Sequence, residues 1–169
     1  MSGLIVAVVG PSHGGKTTLI RHLEEQPDSY CLRTAPPLLD VDQILGSSNR
    51  SDSAKAAGVI RCAAREIGDV LVDVGAGQLV QEPFRQFLRS SAVVMIAVWC
   101  DEATFRSRHS AATADREVLN NYSPVMQEVW DSCRAAGRLV NTSYPISTDQ
   151  SASALGKVVA AIVPQWSAA

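Results

Sequence analysis

The sequence predicts an α/β protein in which a five-stranded parallel sheet lies between two layers of helices. Short apolar runs alternate with longer segments of helical period along the 169 residues, an order typical of parallel sheets with crossover helices. The runs are rich in Val and Ile and lack polar alternation, as expected of strands covered on both faces. The first run leads into a glycine-rich turn that precedes a helical pattern. These features predict a three-layer α/β/α sandwich whose functional groups lie beyond the carboxyl ends of the strands.

Four of the five predicted strands are clear apolar runs, at residues 4–9, 69–75, 92–100 and 138–142. The second strand along the chain is ambiguous. Pro36 and Pro37 forbid a regular central strand in their segment, so this strand is either "YCLR" at 30–33 or the short "LLDV" at 38–41.

Helical patterns fill the intervals between the strands, with recognisable start and stop signals. The first extends from Gly15 to about residue 26 and is stopped by Pro27. The sequence "SDS" at 51–53 is a credible N-cap for a helix that Gly68 closes. The remaining predicted helices occupy residues 79–89, a segment that begins at 101, residues 123–136 and residues 152–163.

Composition and charge limit the classes of function. A formal net charge of −2 offers no electrostatic footprint for nucleic acid or for an anionic membrane. The apolar run at 92–100 is about half as long as a membrane span, and the N-terminal run lacks the marks of a signal peptide. Four widely spaced cysteines fit small buried side chains in a reducing compartment. We therefore expect a single domain over residues 1–169 in a cytoplasmic protein.

The glycine-rich turn has the spacing of a phosphate-binding loop: Gly10, four residues, then Gly15, Lys16 and Thr17. Its glycines, Gly14 included, let successive N–H groups point at phosphate oxygens at the start of the next helix. Lys16 would reach the β and γ phosphates of a nucleotide, and the Thr17 hydroxyl would bind Mg²⁺. The alternative is a glycine-rich turn with an incidental lysine, which the preceding strand and the following helix disfavour.

A carboxylate at a strand end would complete such a metal site. Asp73, after the apolar "VLV", has the form of a Walker B aspartate that holds Mg²⁺ through water. The alternative is a turn residue that caps the following segment. The turn "GAG" at 75–77 would let a ligand approach the backbone closely, although a glycine turn without a ligand fits the sequence equally well.

Absent motifs narrow the class of nucleotide-binding protein. The chain has no N-K-x-D motif for guanine, no D-x-x-G switch motif after a strand, and no room for the extra domains of large ATPases. A small phosphotransferase remains. It needs an acceptor site beside the γ phosphate, a carboxylate to orient the acceptor hydroxyl, and basic residues to cover the transferring group.

Several segments resemble the small P-loop kinases of the shikimate kinase and gluconate kinase group, over nearly the whole chain. "LLDVDQIL" at 38–45 resembles the Asp-x-Asp segment after the second strand, and "DVGAG" stands where the group has a glycine-rich acceptor-binding turn. "VVMIAVWCDEATFRSR" resembles the strand and helix before the lid, and "DREVL" resembles the lid itself. "LVNTSYPISTDQSASAL" resembles the last strand, the adenine loop and the final helix.

The resemblance implies roles for individual residues. Asp40 would lie near the metal and the catalytic centre, and Asp42 would hold acceptor hydroxyls. Arg108 would pack on adenine, and Arg116, in a small lid around residues 109–121, would reach the phosphates. Two alternatives stay open: the aspartates could cap the helix that follows them, and the arginines could belong to a solvated face.

The acceptor site departs from the shikimate kinase pattern. Tyr122 stands where those enzymes have an arginine that grips the acceptor's carboxylate, and the second such arginine has no clear counterpart, with Arg50 and Arg61 nearest. Tyrosine cannot match the bidentate fork of arginine. We therefore expect an acceptor other than shikimate: a polyol, sugar, cyclitol or nucleoside-like compound.

The sequence thus predicts an ATP-dependent kinase that transfers the γ-phosphoryl group to a hydroxyl of a small metabolite, with Mg²⁺ as cofactor, as a monomer or homodimer. The alternative is a nucleotide-binding switch or assembly ATPase without a small-molecule acceptor. The predicted catalytic residues are Lys16, Asp40 and Arg116, and the predicted metal-binding residues are Thr17, Asp40 and Asp73. The predicted nucleotide-binding residues are Gly10, His13, Gly14, Gly15, Lys16, Thr17, Thr18 and Arg108, with no role assigned to the His13 side chain. The predicted acceptor-binding residues are Asp42, Arg61, Gly75, Ala76, Gly77 and Tyr122, and either Asp40 or Asp42 would orient the hydroxyl.

Overall fold

The chain has the predicted α/β architecture. The computed structural model describes residues 3–25, 37–46, 52–110, 113–115, 118 and 121–142. Within these residues the strands are β1 (Ile5–Gly10), β2 (Leu38–Asp40), β3 (Val70–Gly75), β4 (Val93–Trp99) and β5 (Leu139–Asn141). The helices are α1 (Lys16–Glu25), α2 (Val41–Leu45), α3 (Ser53–Glu66), α4 (Ala76–Leu79), α5 (Glu82–Leu88), α6 (Glu102–Ser107) and α7 (Pro124–Ala135).

The five strands form one parallel sheet in the order β2-β3-β1-β4-β5. The chain leaves the central strand β1 toward β2 and β3 on one side and later crosses to β4 and β5 on the other. The carboxyl end of β1 is therefore a topological switch point, where ligands bind in sheets of this kind. Gly10 at the end of β1 is paired with Gly75 at the end of β3, and Asp40 is paired with Asp73.

Helices cover both faces of the sheet, which explains why the strands lack polar alternation. On one face Val9 and Val72 pack with buried residues of α2, α3, α4, α5 and α7. On the other face Val8 packs with Leu19 and Ile20 of α1. The sheet is thus rigid at its centre, so the strand ends that carry the polar residues are held in fixed positions.

Side-chain caps start the helices that the sequence signals marked. Asp52 in the predicted "SDS" cap accepts a hydrogen bond from the Lys55 N–H at 3.1 Å. Asp101 accepts one from the Thr104 N–H at 2.7 Å at the start of α6. These contacts satisfy N–H groups that have no partner within the helix.

One strand agrees with one of its two predicted alternatives, and one helix differs in detail from its prediction. β2 corresponds to the "LLDV" alternative, while residues 30–33 and the helix predicted at 152–163 lie outside the described residues. The helix predicted at 79–89 begins later, as α5 at Glu82, and the separate short helix α4 ends at Leu79. Pro83 lies in the first turn of α5 and has no N–H to donate to the preceding turn, so it starts a new helix.

The cysteines correct one expectation. Cys100 and Cys133 are buried and free, as predicted, whereas Cys62 is exposed. Its helix α3 turns Ile60 and Ala64 toward the core, and position 62 falls between them on the solvent side. In the described part of the chain, no helix combines the length and apolar character that crossing a membrane requires.

Candidate active site

The loop after β1 is the centre of the candidate site. A Cβ atom at Gly10 would lie 2.2 Å from Cγ2 of Val98, so no side chain fits there. His13 (φ 54°) and Gly15 (φ 92°) adopt left-handed conformations, which turn the backbone sharply before α1 begins. The loop therefore lies at the N-terminus of a ten-residue helix, where unpaired N–H groups and the helix dipole favour phosphate.

Lys16 is folded over this loop. Its side chain is only 9% exposed, and its Nζ donates to the carbonyl oxygens of Gly10 at 3.1 Å and Pro11 at 2.9 Å. Burial lowers the pKa of Lys16, while Asp73, Asp42 and Asp40 act in the opposite direction. A phosphate oxygen is a stronger acceptor for an ammonium group than a neutral carbonyl, so Lys16 is held where a nucleotide phosphate would compete for it.

The first turn of α1 presents hydroxyl groups beside Lys16. Thr17 and Thr18 are exposed there, as required of side chains that meet a ligand. The next two residues, Leu19 and Ile20, are buried against the sheet. The burial of Leu19 and Ile20 fixes which side of the turn faces solvent.

Asp40 and Asp73, two of the aspartates predicted at the site, are neighbours in the sheet. Asp40 ends β2 and Asp73 lies beside it on β3. Burial raises the pKa of Asp73, Lys16 opposes this shift, and Asp40 and Asp42 add to it. Asp40 is also the N-cap of α2, because its Oδ1 accepts from the N–H groups of Asp42 at 2.8 Å and Gln43 at 3.4 Å. The capping role that the sequence left open is therefore real for Asp40.

A pocket of about 350 Å³ opens beside the loop and the carboxyl end of β3. It is lined by Ser12, Asp42, Gly75, Ala76, Gly77, Gln78 and Gln81. Ser12 belongs to the glycine-rich loop after β1, so the loop and the pocket are contiguous. The Nε2 of Gln78 donates to Oδ1 of Asp42 at 3.3 Å, which holds this carboxylate at the pocket wall.

Arg108 and Thr142 tie the loop to the other half of the sheet. The Arg108 guanidinium donates to the carbonyl oxygens of His13 at 3.2 Å and Thr142 at 2.7 Å. The buried hydroxyl of Thr142 donates to the Gly14 carbonyl at 2.5 Å and also lies 3.1 Å from the Trp99 carbonyl. Because the Cβ position of Gly15 lies 3.0 Å from Cβ of Thr142, this contact leaves little space for a larger residue in the loop.

Two predicted residues are not brought into the pocket. Arg61 lies over the ring of Phe87, 5.1 Å from its centroid, and is not among the residues that line the pocket. The Tyr122 hydroxyl donates to the Cys100 carbonyl at 2.6 Å, and its ring packs against those of Phe105 and Trp130. The side chains of Arg61 and Tyr122 therefore have interaction partners within the protein and need no ligand to explain their positions. Arg116 lies outside the described residues.

Four residues of the site were absent from the sequence prediction: Ser12, Gln78, Gln81 and Thr142. A signal existed for each of them. Ser12 lies within the glycine-rich loop, the glutamines follow the "GAG" turn, and Thr142 directly follows the last residue of β5. Their contacts depend on tertiary neighbours, which the spacing of residues does not reveal.

The described residues fit a nucleotide with its metal better than a metal held by protein alone. In the described ranges no group of three or more His, Cys, Asp and Glu side chains is arranged to hold a metal ion. Magnesium in phosphotransferases takes most of its ligands from phosphates and water, with one or two from the protein. The Thr17 hydroxyl and the Asp40–Asp73 pair are suited to supply these one or two protein ligands.

Comparisons with known proteins identify the fold. No protein-family profile and no curated protein sequence matches the chain. A gluconokinase structure from Sinorhizobium meliloti 1021 superposes with a TM-score of 0.60 over 97% of this chain and 95% of its own, at 14% identity. A shikimate kinase structure from Acinetobacter baumannii, in complex with shikimate, gives 0.55 over 96% and 94%, at 18% identity. The chain therefore has a fold like that of shikimate and gluconate kinases, as the sequence predicted.

Proposed function

We propose that this kinase-like fold carries an ATP-dependent phosphotransferase whose acceptor is a hydroxyl of a small metabolite other than shikimate. One observation carries the proposal: Ser12 belongs both to the loop that surrounds Lys16 and to the pocket beside it. A hydroxyl compound in the pocket would thus lie next to the γ phosphate of a nucleotide held by the loop. Phosphoryl transfer needs this juxtaposition more than any other feature, because its catalysis is mostly positioning and charge stabilisation.

The reaction follows from the positions of these groups. The acceptor oxygen forms a bond to the γ phosphorus while the bond from that phosphorus to the β–γ bridging oxygen breaks, and ADP leaves with the electron pair. The hydroxyl proton passes to a carboxylate and then to solvent. We assign this carboxylate to Asp42, because it lines the pocket while Asp40 caps α2. The products are ADP and a phosphate monoester.

The loop residues would hold the donor. Lys16 would exchange its two carbonyl partners for oxygens of the β and γ phosphates, and the loop N–H groups would surround the same phosphates. Mg²⁺ held by Thr17, Asp40 and Asp73 would supply neutralisation of the phosphate charge. From the sequence we add Arg116 as the residue that would cover the transferring group, and Arg108 lies beside the loop through its bond to the His13 carbonyl.

A direct product search tests the proposal. The purified chain is incubated with ATP, Mg²⁺ and pools of polyols, sugars, cyclitols and nucleosides, with shikimate and gluconate included, and phosphorus NMR detects new phosphate monoesters. We expect a new monoester in at least one pool and none with shikimate. ADP formed slowly in every pool without a phosphorylated compound would instead support a switch or assembly ATPase.

A further inference from the structure

We propose that Gln78, acting with Asp42, makes the acceptor site selective for an uncharged polyhydroxy compound. The inference rests on the proposed function and adds to it the chemical class of the acceptor. It also assigns a specificity-determining role to Gln78, which follows the glycine turn at the end of β3.

The side chain of Gln78 is half-satisfied in its hydrogen bonding. Only 5% of the residue is exposed, and its Nε2 donates to Asp42 Oδ1 at 3.3 Å. Its Oε1 is buried and accepts no hydrogen bond. Buried amide oxygens in folded proteins almost always have a donor, and Gln78 lines the pocket. A hydroxyl group that enters the pocket is the donor that this oxygen lacks.

The charges around the pocket disfavour an anionic acceptor. The described lining residues include one carboxylate, that of Asp42, and no Lys, Arg or His. Lys16 is held by the loop, and the three nearby aspartates all influence its pKa. A carboxylate-bearing acceptor would therefore meet the Asp42 carboxylate and no arginine among the described lining residues, so repulsion would select against it.

The pairing of donors and acceptors favours hydroxyl groups over an ammonium group. A hydroxyl both donates and accepts, whereas an ammonium only donates. The pocket offers acceptors in Asp42 and in Gln78 Oε1, and groups that can do both in Ser12 and Gln81. Adjacent hydroxyls of a polyol can use both kinds of partner at once, so we infer a neutral acceptor with at least two neighbouring hydroxyl groups.

The test compares matched acceptors that differ only in charge. Linear polyols of three to six carbons are assayed with MgATP beside their aldonates and their 1-amino-1-deoxy derivatives, and shikimate is assayed beside its carboxamide. Wild type is compared with Gln78→Leu and with Gln127→Leu. Gln127 is the matched control, because its Nε2 also donates to an aspartate, Asp131, at 3.2 Å, but on the exposed side of α7.

We expect wild type to use an uncharged member of a set with kcat/KM at least about tenfold above its acid and its amine. Gln78→Leu should lower that kcat/KM by about 10- to 100-fold, chiefly through the acceptor KM, since one amide partner is lost. Binding of MgATP, measured by calorimetry, should stay within about twofold of wild type, and Gln127→Leu should change nothing. If Gln78→Leu does not fold, Gln78→Met retains the length of the side chain without its amide group and should give the same loss.

Other results would overturn the inference. A preferred acceptor with a carboxylate or an ammonium group would contradict the charge argument while leaving the kinase proposal intact. An unchanged acceptor KM in both Gln78 variants would contradict the specificity-determining role assigned to Gln78. Failure of wild type to phosphorylate any member of the panel, with MgATP bound, would instead contradict the proposed function itself and the inference with it.

Discussion

Lys16 shows how one residue combines opposing electrostatic effects. Burial lowers the pKa of Lys16, and the negative charges of Asp73, Asp42 and Asp40 raise it in part. Two backbone carbonyl oxygens accept hydrogen bonds from its ammonium group. The side chain is therefore positioned before any ligand arrives, which reduces the reorganisation that a phosphate would have to cause.

Replacement of this lysine tests the phosphate site. Lys16→Ala should lower kcat/KM for phosphorylation by at least about 100-fold, because it removes a charge that stabilises the transition state. The free energy of unfolding should change by about 1 kcal/mol or less, since the cost of burying the ammonium offsets its hydrogen bonds. Product formation and urea unfolding measure the two effects. Lys55→Ala, on the exposed side of α3, is the control, and wild-type rates in Lys16→Ala would refute the mechanism.

Asp73 provides a prediction about pH. Burial raises its pKa in the folded state, so the folded chain binds this proton more tightly than the unfolded chain. Stability is therefore lost as pH rises from the unfolded pKa, about 3.9, through the folded value. Asp73→Asn does not ionise and should escape this loss, so its advantage in unfolding free energy over wild type should grow between pH 4 and pH 7.

Urea unfolding at several pH values checks this expectation. Asp131→Asn on the exposed surface of α7 is the control and should show at most the change of a surface ion pair, below about 1 kcal/mol. An Asp73→Asn variant whose advantage shrinks as pH rises would contradict the direction of the shift. Its phosphorylation rate should also fall, because an amide is a poorer partner for Mg²⁺ than a carboxylate.

The loop, α6 and β5 are joined by a small set of hydrogen bonds. Arg108 at the end of α6 donates to the loop at His13 and to Thr142 after β5. The Thr142 hydroxyl donates to Gly14 within the loop. These bonds fix the side of the loop that faces away from the pocket, so we expect them to position the loop for the nucleotide rather than to contact the acceptor.

Thr142→Val tests this connection. Valine has nearly the same shape but leaves the buried Gly14 carbonyl without its donor, which should lower the free energy of unfolding by about 1–3 kcal/mol. The KM for ATP should rise, because the loop loses a restraint, while the acceptor KM should stay unchanged. Thr142→Ser keeps the hydroxyl and should restore both quantities. If Thr142→Val raises only the acceptor KM, Thr142 does not position the loop for the nucleotide.

Stability of the whole chain depends on the sheet and the helices that cover it. Trp130 of α7 is fully buried in the larger core cluster, and its indole N–H donates to the Val98 carbonyl on β4 at 2.9 Å. This one residue therefore joins a helix to the centre of the sheet through both packing and a hydrogen bond. The same strand carries the Val98 side chain against Gly10, so the core also supports the loop.

Trp130→Phe should lower the free energy of unfolding by about 1–3 kcal/mol, because it removes volume from the core and leaves a buried carbonyl without this donor. Urea unfolding followed by circular dichroism measures the loss. The denaturant slope should stay the same if the transition remains two-state. Trp99→Phe, at a half-buried position, should cost less, and an equal loss in both variants would contradict the specific role of Trp130.

Much of the fold followed from local patterns. Strand β1 is fully buried and β3 is nearly so, so their apolar runs stand out from the rest of the chain. The glycine-rich turn after β1 is also a local feature, because Gly10, Gly15 and Lys16 lie within a few residues of one another. The helix predicted at 79–89 was wrong in detail, since a single proline decides where a helix begins. The exposure of Cys62 was missed because a helix position faces core or solvent according to its packing.

The amino-acid sequence alone was sufficient for the α/β class, the glycine-rich turn between β1 and α1, and the kinase-like fold, because these depend on periodicity and on residues close together in the chain. Tertiary structure was needed for the pocket proposed to bind the acceptor. It brought Gln78 to Asp42 across 36 positions, placed Thr142 on the loop across 128, and kept Arg61 and Tyr122 engaged elsewhere. Such contacts depend on which strand ends meet at the edge of the sheet, and that order is decided by the packing of the whole chain.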